Sequence, residues 1–192
     1  MKYILWVFFD KIRGLDYVKN EGYDKLQTNS EQSAVFQATR DTKYLKKILD
    51  DLCITSEDCI LDLGCGKGYL LKVFSKYQFK KVGGVEISKK LCGIAKRNLT
   101  KERIKNFKIY NANAMNFDKY DGYNYIYMFN PFPSAVMKAV IENLNKANVD
   151  NKKITIIYHN PVHHMDIVEK GYFKLCAKYK GKSTDYYIYC NK

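Results

Sequence analysis

One stretch limits what this chain can fold into: residues 59–68, Cys-Ile-Leu-Asp-Leu-Gly-Cys-Gly-Lys-Gly. A short apolar run reads as a strand and passes without a break into glycines at alternate positions. A helical period opens straight after it, with Leu70, Val73, Phe74 and Tyr77 at i, i+3, i+4 and i+7. Glycines in such a turn permit positive φ and let backbone N–H groups and a helix N-terminus come close to a ligand. Many nucleotide sites and plain turns share a loop of this kind, so the residues beyond it must decide.

Further apolar runs follow at 81–86, 107–111, 123–129 and 154–158, separated by helical patterns. Ser88 is placed to cap the helix that carries Leu91, Ile94, Ala95 and Leu99, and a helix bearing Met137, Val140, Ile141 and Leu144 follows Pro133. The runs 172–179 and 185–189, joined through Gly181-Lys182-Ser183, read as an antiparallel hairpin. Before the glycine stretch, Ser30 with Glu31, Gln32 and Ser33 reads as a helix start, and Leu45, Ile48, Leu49 and Leu52 form one apolar face. Strands alternating with helices predict an α/β fold with a doubly wound, mostly parallel sheet of seven strands closed by the C-terminal antiparallel hairpin. The expected organisation is an N-terminal helix and lid segment over 1–29, then a single domain over 30–192. Residues 15–29 are polar, without a clean period, and are expected to form a loop or lid.

In a doubly wound sheet, ligands bind at the carboxyl ends of the strands. Glu86 closes the second strand about 20 residues after the loop, where a carboxylate can accept hydrogen bonds from two ribose hydroxyls; a solvated strand-end glutamate is the other reading. Together these segments resemble class I S-adenosylmethionine-dependent methyltransferases. Asp62-Leu63-Gly64-Cys65-Gly66-Lys67-Gly68 is similar to that family's first motif, and Gly84-Val85-Glu86-Ile87-Ser88 to its second. The G-x-G-x-G spacing differs from the G-x-G-x-x-G usual in dinucleotide-binding domains. The resemblance implies a Rossmann-like methyltransferase fold and S-adenosylmethionine as cofactor. It places Asp62, Gly64, Cys65, Gly66 and Gly68 at the methionine portion and Glu86 and Ile87 at the ribose. Asn113 and Ala114 stand where the family sets an acidic and a small residue against the adenine, and an Asn oxygen can still accept from the amino group. A polar turn is the alternative there.

The fourth strand ends in Phe129-Asn130-Pro131-Phe132-Pro133, which resembles the N-P-P-Y/F turn of amino-group methyltransferases, with the second proline displaced. The resemblance makes Asn130, Pro131 and Phe132 the catalytic group: a rigid turn that aims acceptor oxygens at the nucleophile. The alternative is a plain helix start, since Pro133 suits a first turn. His159, His163 and His164 follow the fifth strand. A substrate-rim loop, a proton acceptor and a metal site are the three readings, and the lack of Cys or carboxylate partners at metal spacing sets the last aside.

The formal net charge of +13 fits an anionic partner, yet the lysines are scattered and Lys, Asn, Ile and Tyr are abundant together, as AT-rich coding sequence produces. Six cysteines show no C-x-x-C pair, which argues against a disulfide framework and for the cytoplasm. Residues 3–9 are apolar but too few to span a bilayer, and Ile4, Phe8, Ile12 and Leu15 recur at helical spacing. A docked N-terminal helix is expected, with a membrane-surface contact through residues 1–15 as the alternative. The expected activity is methyl transfer to a nitrogen or oxygen of a protein lysine or small molecule. Methylation of RNA or DNA, or a non-enzymatic cofactor-binding scaffold, are the competing readings.

Overall fold

A computed structural model of the chain describes residues 2–19, 42–129, 132–148 and 152–191. The strands are β1 (Cys59–Leu63), β2 (Lys81–Glu86), β3 (Phe107–Asn111), β4 (Tyr125–Phe129), β5 (Thr155–His159), β6 (Phe173–Tyr179) and β7 (Tyr186–Asn191). The helices are α1 (Lys2–Ile12), α2 (Lys43–Asp51), α3 (Tyr69–Phe74), α4 (Lys89–Lys101), α5 (Ser134–Ala147) and α6 (His164–Val168). All seven strands form one sheet in the order β3-β2-β1-β4-β5-β7-β6. Strands β1 to β5 run parallel, and β7 runs antiparallel between β5 and β6. The chain leaves β1 in one direction for β2 and β3 and returns to its other side for β4. The carboxyl ends of β1 and β4 therefore flank the switch point, where such sheets hold ligands.

The central strands are apolar on both faces because helices cover both. On one face α2, α3 and α4 bring Leu45, Ile48, Leu71, Phe74, Ala95 and Leu99 against Ile60, Val82, Tyr127 and Ile157. On the other, α5 and α6 bring Met137, Val140, Ile141, Leu144 and Ile167 against Leu61, Ile126, Ile156 and Tyr158. The edge strand β6 is partly exposed, with a bulge between Leu175 and Ala177 and exposed Lys174 and Lys178, features that discourage pairing with a further strand.

Two expectations shift. The fourth strand starts at Tyr125 and not at 123, because a 3-10 turn at Tyr120–Gly122 precedes it and Asn124 is spent on bonding Asp58 and the Cys59 amide. The first part of the expected lid is no open loop: Leu15, Tyr17 and Val18 are buried against Trp6, Val7 and Tyr69. The Tyr17 ring meets Tyr69 edge-on at 5.4 Å, so aromatic packing overrides the weak period of this segment. The helix start at Ser30 and the remainder of the lid lie outside the described residues. All six cysteines are free thiols.

Candidate active site

The glycine loop leaves β1 with Gly64, Gly66 and Gly68 at φ values of 85°, 52° and 82°. Two amides, Gly64 N and Cys65 N, donate to Val85 O at 2.9 and 3.1 Å, which pins the loop to β2. Gly68 then caps α3 in the left-handed region, where a side chain would also crowd Ala95 at 3.1 Å. A Cβ at Gly84 would lie 2.6 Å from Cys65 Sγ, so the small residue on β2 lets the loop settle onto the strand.

Glu86 closes β2 beside this loop and is 8% exposed. Its Oε2 accepts from Gly66 N at 3.0 Å and its Oε1 from Ser88 N at 2.9 Å. Each carboxylate oxygen keeps a further lone pair for a ligand hydroxyl. Asp62 lies on β1 in the same buried region. Burial, then the Glu86 charge, pushes its carboxyl up to about 8. Burial also raises Glu86, against the pull of the Ser88, Gly66 and Ile87 amides. Cys65 is held well above the usual thiol range by burial and by both carboxylates, so it stays a protonated thiol and not a nucleophile. Two buried carboxyl groups lie within electrostatic reach of each other, and no cation among the described residues contributes to the shift of either. Such a pair suits a ligand that brings hydroxyls and a positive charge.

Asn111 at the end of β3 donates to Glu86 O at 3.1 Å and Ile87 O at 2.8 Å, fixing the backbone around Glu86. Asn113 Oδ1 accepts from Met115 N at 3.0 Å and caps a 3-10 turn whose first residue, Ala114, is buried. One oxygen lone pair of Asn113 is thus committed to the turn.

Across the switch point, Phe129, His159 and Tyr186 sit in register on β4, β5 and β7. Their rings form a stack, with Phe129 and Tyr186 4.0 and 3.9 Å from His159 on its two faces. His159 Nδ1 meets Tyr127 Oη at 3.2 Å and Nε2 meets Thr184 Oγ1 at 2.7 Å. Burial lowers its pKa to about 4, so the imidazole is neutral and fully engaged. This removes His159 from the proton-acceptor reading. Its place in the stack fixes Phe129, the residue before Asn130. Asn130 and Pro131 lie outside the described residues. Phe132 packs half-buried against the α5-side core. On the loop and helix after β5, His164 Nδ1 bonds Tyr189 Oη at 2.8 Å, and His163 Nδ1 lies 3.4 Å from Asp166 Oδ2.

Residues 54–189 match the family model described as a methyltransferase domain. The chain belongs to the methyltransferase domain family. It is an S-adenosylmethionine-dependent methyltransferase, and S-adenosylmethionine is the cofactor its family implies. Among curated relatives, the probable cobalt-precorrin-6B C(15)-methyltransferase (decarboxylating) of Methanococcus vannielii is 32% identical over 128 residues, 66% of this chain and 69% of that protein. Among solved structures, the ribosomal protein L11 methylase of Lactobacillus delbrueckii subsp. bulgaricus superposes with a TM-score of 0.61 at 16% identity, covering 78% of this chain and 77% of its own. A SAM-dependent methyltransferase from Aquifex aeolicus gives 0.61 at 15% identity, covering 76% and 87%. At these identities the two structures speak to the fold alone.

One part of this methyltransferase's site escapes the motif reading. Lys67, inside the glycine loop, has a fully buried side chain whose Nζ donates to Asp16 Oδ1 at 2.7 Å and Lys19 O at 2.6 Å. Asn98 on α4 completes the clasp, accepting from Asp16 N and donating to Asp16 O and Lys67 O. Its signal was present in the sequence: Asn98 falls on the apolar helix face of Leu91, Ile94 and Ala95, where a polar side chain needs a partner.

Proposed function

We propose that the acceptor of this methyltransferase is a small molecule, bound at the carboxyl edge of the sheet between the loops after β4 and β5. The observation that carries this reading is the 32% identity to a protein whose name specifies cobalt-precorrin-6B, over a stretch as long as two thirds of the present chain. S-adenosylmethionine supplies an electrophilic methyl group on a cationic sulfonium centre. The residues fit it: the buried Asp62, whose only charged influence among the described residues is a second acid, suits the cationic amino group of the methionine portion, and Glu86 retains lone pairs for ribose hydroxyls. The loop amides and Cys65 would line the methionine portion, Ile87 the ribose, and Asn113 with Ala114 the adenine.

The main work of the chain is then positioning, since a direct displacement needs alignment more than strong acid–base groups. Asn130 and Pro131 would aim the nucleophile and Phe132 would pack against it, on a turn whose entry is fixed by the Phe129–His159 stack. For an N–H or O–H acceptor, His163 would take the released proton at Nε2, with Asp166 beside Nδ1 to stabilise the imidazolium. A carbon acceptor is a second reading, favoured by the C(15) specified in the relative's name.

The test is incubation of the full chain with methyl-labelled S-adenosylmethionine and separated small-molecule, protein and RNA fractions. Label in the small-molecule fraction is the expected result, and the NMR shift of the transferred methyl assigns it to nitrogen, oxygen or carbon. Label confined to protein or RNA would overturn the reading.

A further inference from the structure

Helix α1 is apolar on two sides. Trp6 and Val7 face the body and pack with Leu15, Tyr17 and Val18. On the other side Ile4, Leu5, Phe8, Phe9 and Ile12 are exposed, Ile4 at 73% and Ile12 at 66%. At about 100° per residue these five side chains fill one continuous arc of roughly 140°. Single exposed apolar residues need no explanation, but a contiguous set of this size on one helix marks a contact surface.

The helix is also held firmly in place. Asp10 O accepts from Leu15 N at 2.7 Å and the Asp10 carboxylate from Tyr17 N at 2.9 Å. Lys101 Nζ donates to Gly14 O at 2.8 Å, and Asp16 enters the clasp with Lys67 and Asn98. The apolar arc is therefore presented by a fixed element joined to the glycine loop.

Charge decides what covers it. Asp10 is the only acid in residues 1–15, and it is buried. The exposed rim carries Lys11 and Arg13, and the Glu102 carboxylate that reaches Arg13 is shared with Lys72. We propose that α1 docks this protein in-plane on an anionic lipid surface, with the Ile4–Ile12 arc in the acyl boundary and Lys11 and Arg13 at the headgroups. An 11-residue helix is too short to cross a bilayer, and an exposed apolar arc flanked by Lys11 and Arg13 suits a helix lying in the interface. A second copy of the chain would bring a like cationic rim, on a molecule of net charge +13, against the first. An anionic headgroup layer neutralises that rim instead.

The test is flotation of the full chain with vesicles of phosphatidylcholine alone and of phosphatidylcholine with one third phosphatidylglycerol. Binding to the anionic vesicles should be at least about tenfold stronger and should fall with added salt. The double variant Phe8→Ser with Ile12→Ser should abolish it, and Lys11→Glu should weaken it several-fold. Both changes lie on exposed positions, and circular dichroism should show each variant folded. Equal binding of wild type and folded Phe8→Ser/Ile12→Ser protein would overturn the proposal. So would sedimentation showing a dimer that this variant dissolves while wild type ignores both vesicles.

Discussion

Lys67 Nζ lies 2.7 Å from Asp16 Oδ1, and this ion pair ties the glycine loop to the segment that follows α1. The lysine side chain is fully buried and the aspartate is 23% exposed. Removing one partner strands a buried charge, whereas removing both leaves a gap between neutral groups. Asp16→Asn should therefore cost about 1–3 kcal/mol, and Lys67→Met with Asp16→Asn should cost less than the two single changes summed, by about 1 kcal/mol or more. Urea unfolding of the four proteins measures this. Strict additivity would show that the pair is not coupled.

Asp62 provides a pH signature. Its carboxyl is raised to about 8 in the folded chain, so between the ordinary carboxylate range and pH 8 the folded state binds more protons than the unfolded one. Stability contributed by protonated Asp62 is present at low pH and lost as pH rises through about 8, and Asp62→Asn should flatten that part of the profile. A cationic ligand group favours the ionised form, so cofactor binding below pH 8 should release protons. Calorimetry in buffers of different ionisation enthalpy reads this directly, and a buffer-independent heat would contradict it.

His159 should behave in the opposite sense. Its pKa is depressed to about 4 by burial, so stability is present above the ordinary imidazole range and is lost as pH falls towards about 4. His159→Ala removes both stacked contacts and should destabilise by about 2–4 kcal/mol. Because the ring is neutral and engaged at both nitrogens, activity per folded molecule should keep its pH profile in this variant. Loss of a pH-rate limb near neutrality would restore His159 as a base.

Two glycines give a matched pair of opposite outcomes. Gly68, at φ 82° with Ala95 3.1 Å from any added Cβ, should lose about 1–2 kcal/mol or more on change to alanine. Gly93 is an exposed helical position of α4 with open space around it, and Gly93→Ala should gain about 0.5–1 kcal/mol. Thermal unfolding of both variants decides it, and equal shifts would contradict the backbone argument.

The α/β alternation and the glycine turn were legible because each rests on local pattern: apolar runs of strand length, Ser88 before a helical period, glycines where φ must turn positive. The closing hairpin was legible too, although the placement of β7 between β5 and β6 depends on contacts remote in sequence. What stayed hidden depends on tertiary partners. Residues 15–29 read as a polar stretch without a clean period, yet within it Tyr17 finds Tyr69 and Asp16 finds Lys67 and Asn98 only once α3 and α4 are in place. His159 looks like a candidate base, and only the register of β4, β5 and β7 shows it to be a stacked, neutral spacer.

We propose that S-adenosylmethionine sits at the Gly64–Gly68 loop with Glu86 at its ribose. Calorimetric titration of the full chain and of Glu86→Gln with S-adenosylmethionine and its demethylated product tests it most directly. Gln keeps the size of the side chain but gives up one charged acceptor, worth about 1.5–3 kcal/mol where donors are buried. The wild type should bind both ligands in the micromolar range, and the variant at least about tenfold more weakly. Equal affinity in the two proteins, or no binding by the wild type, would contradict it.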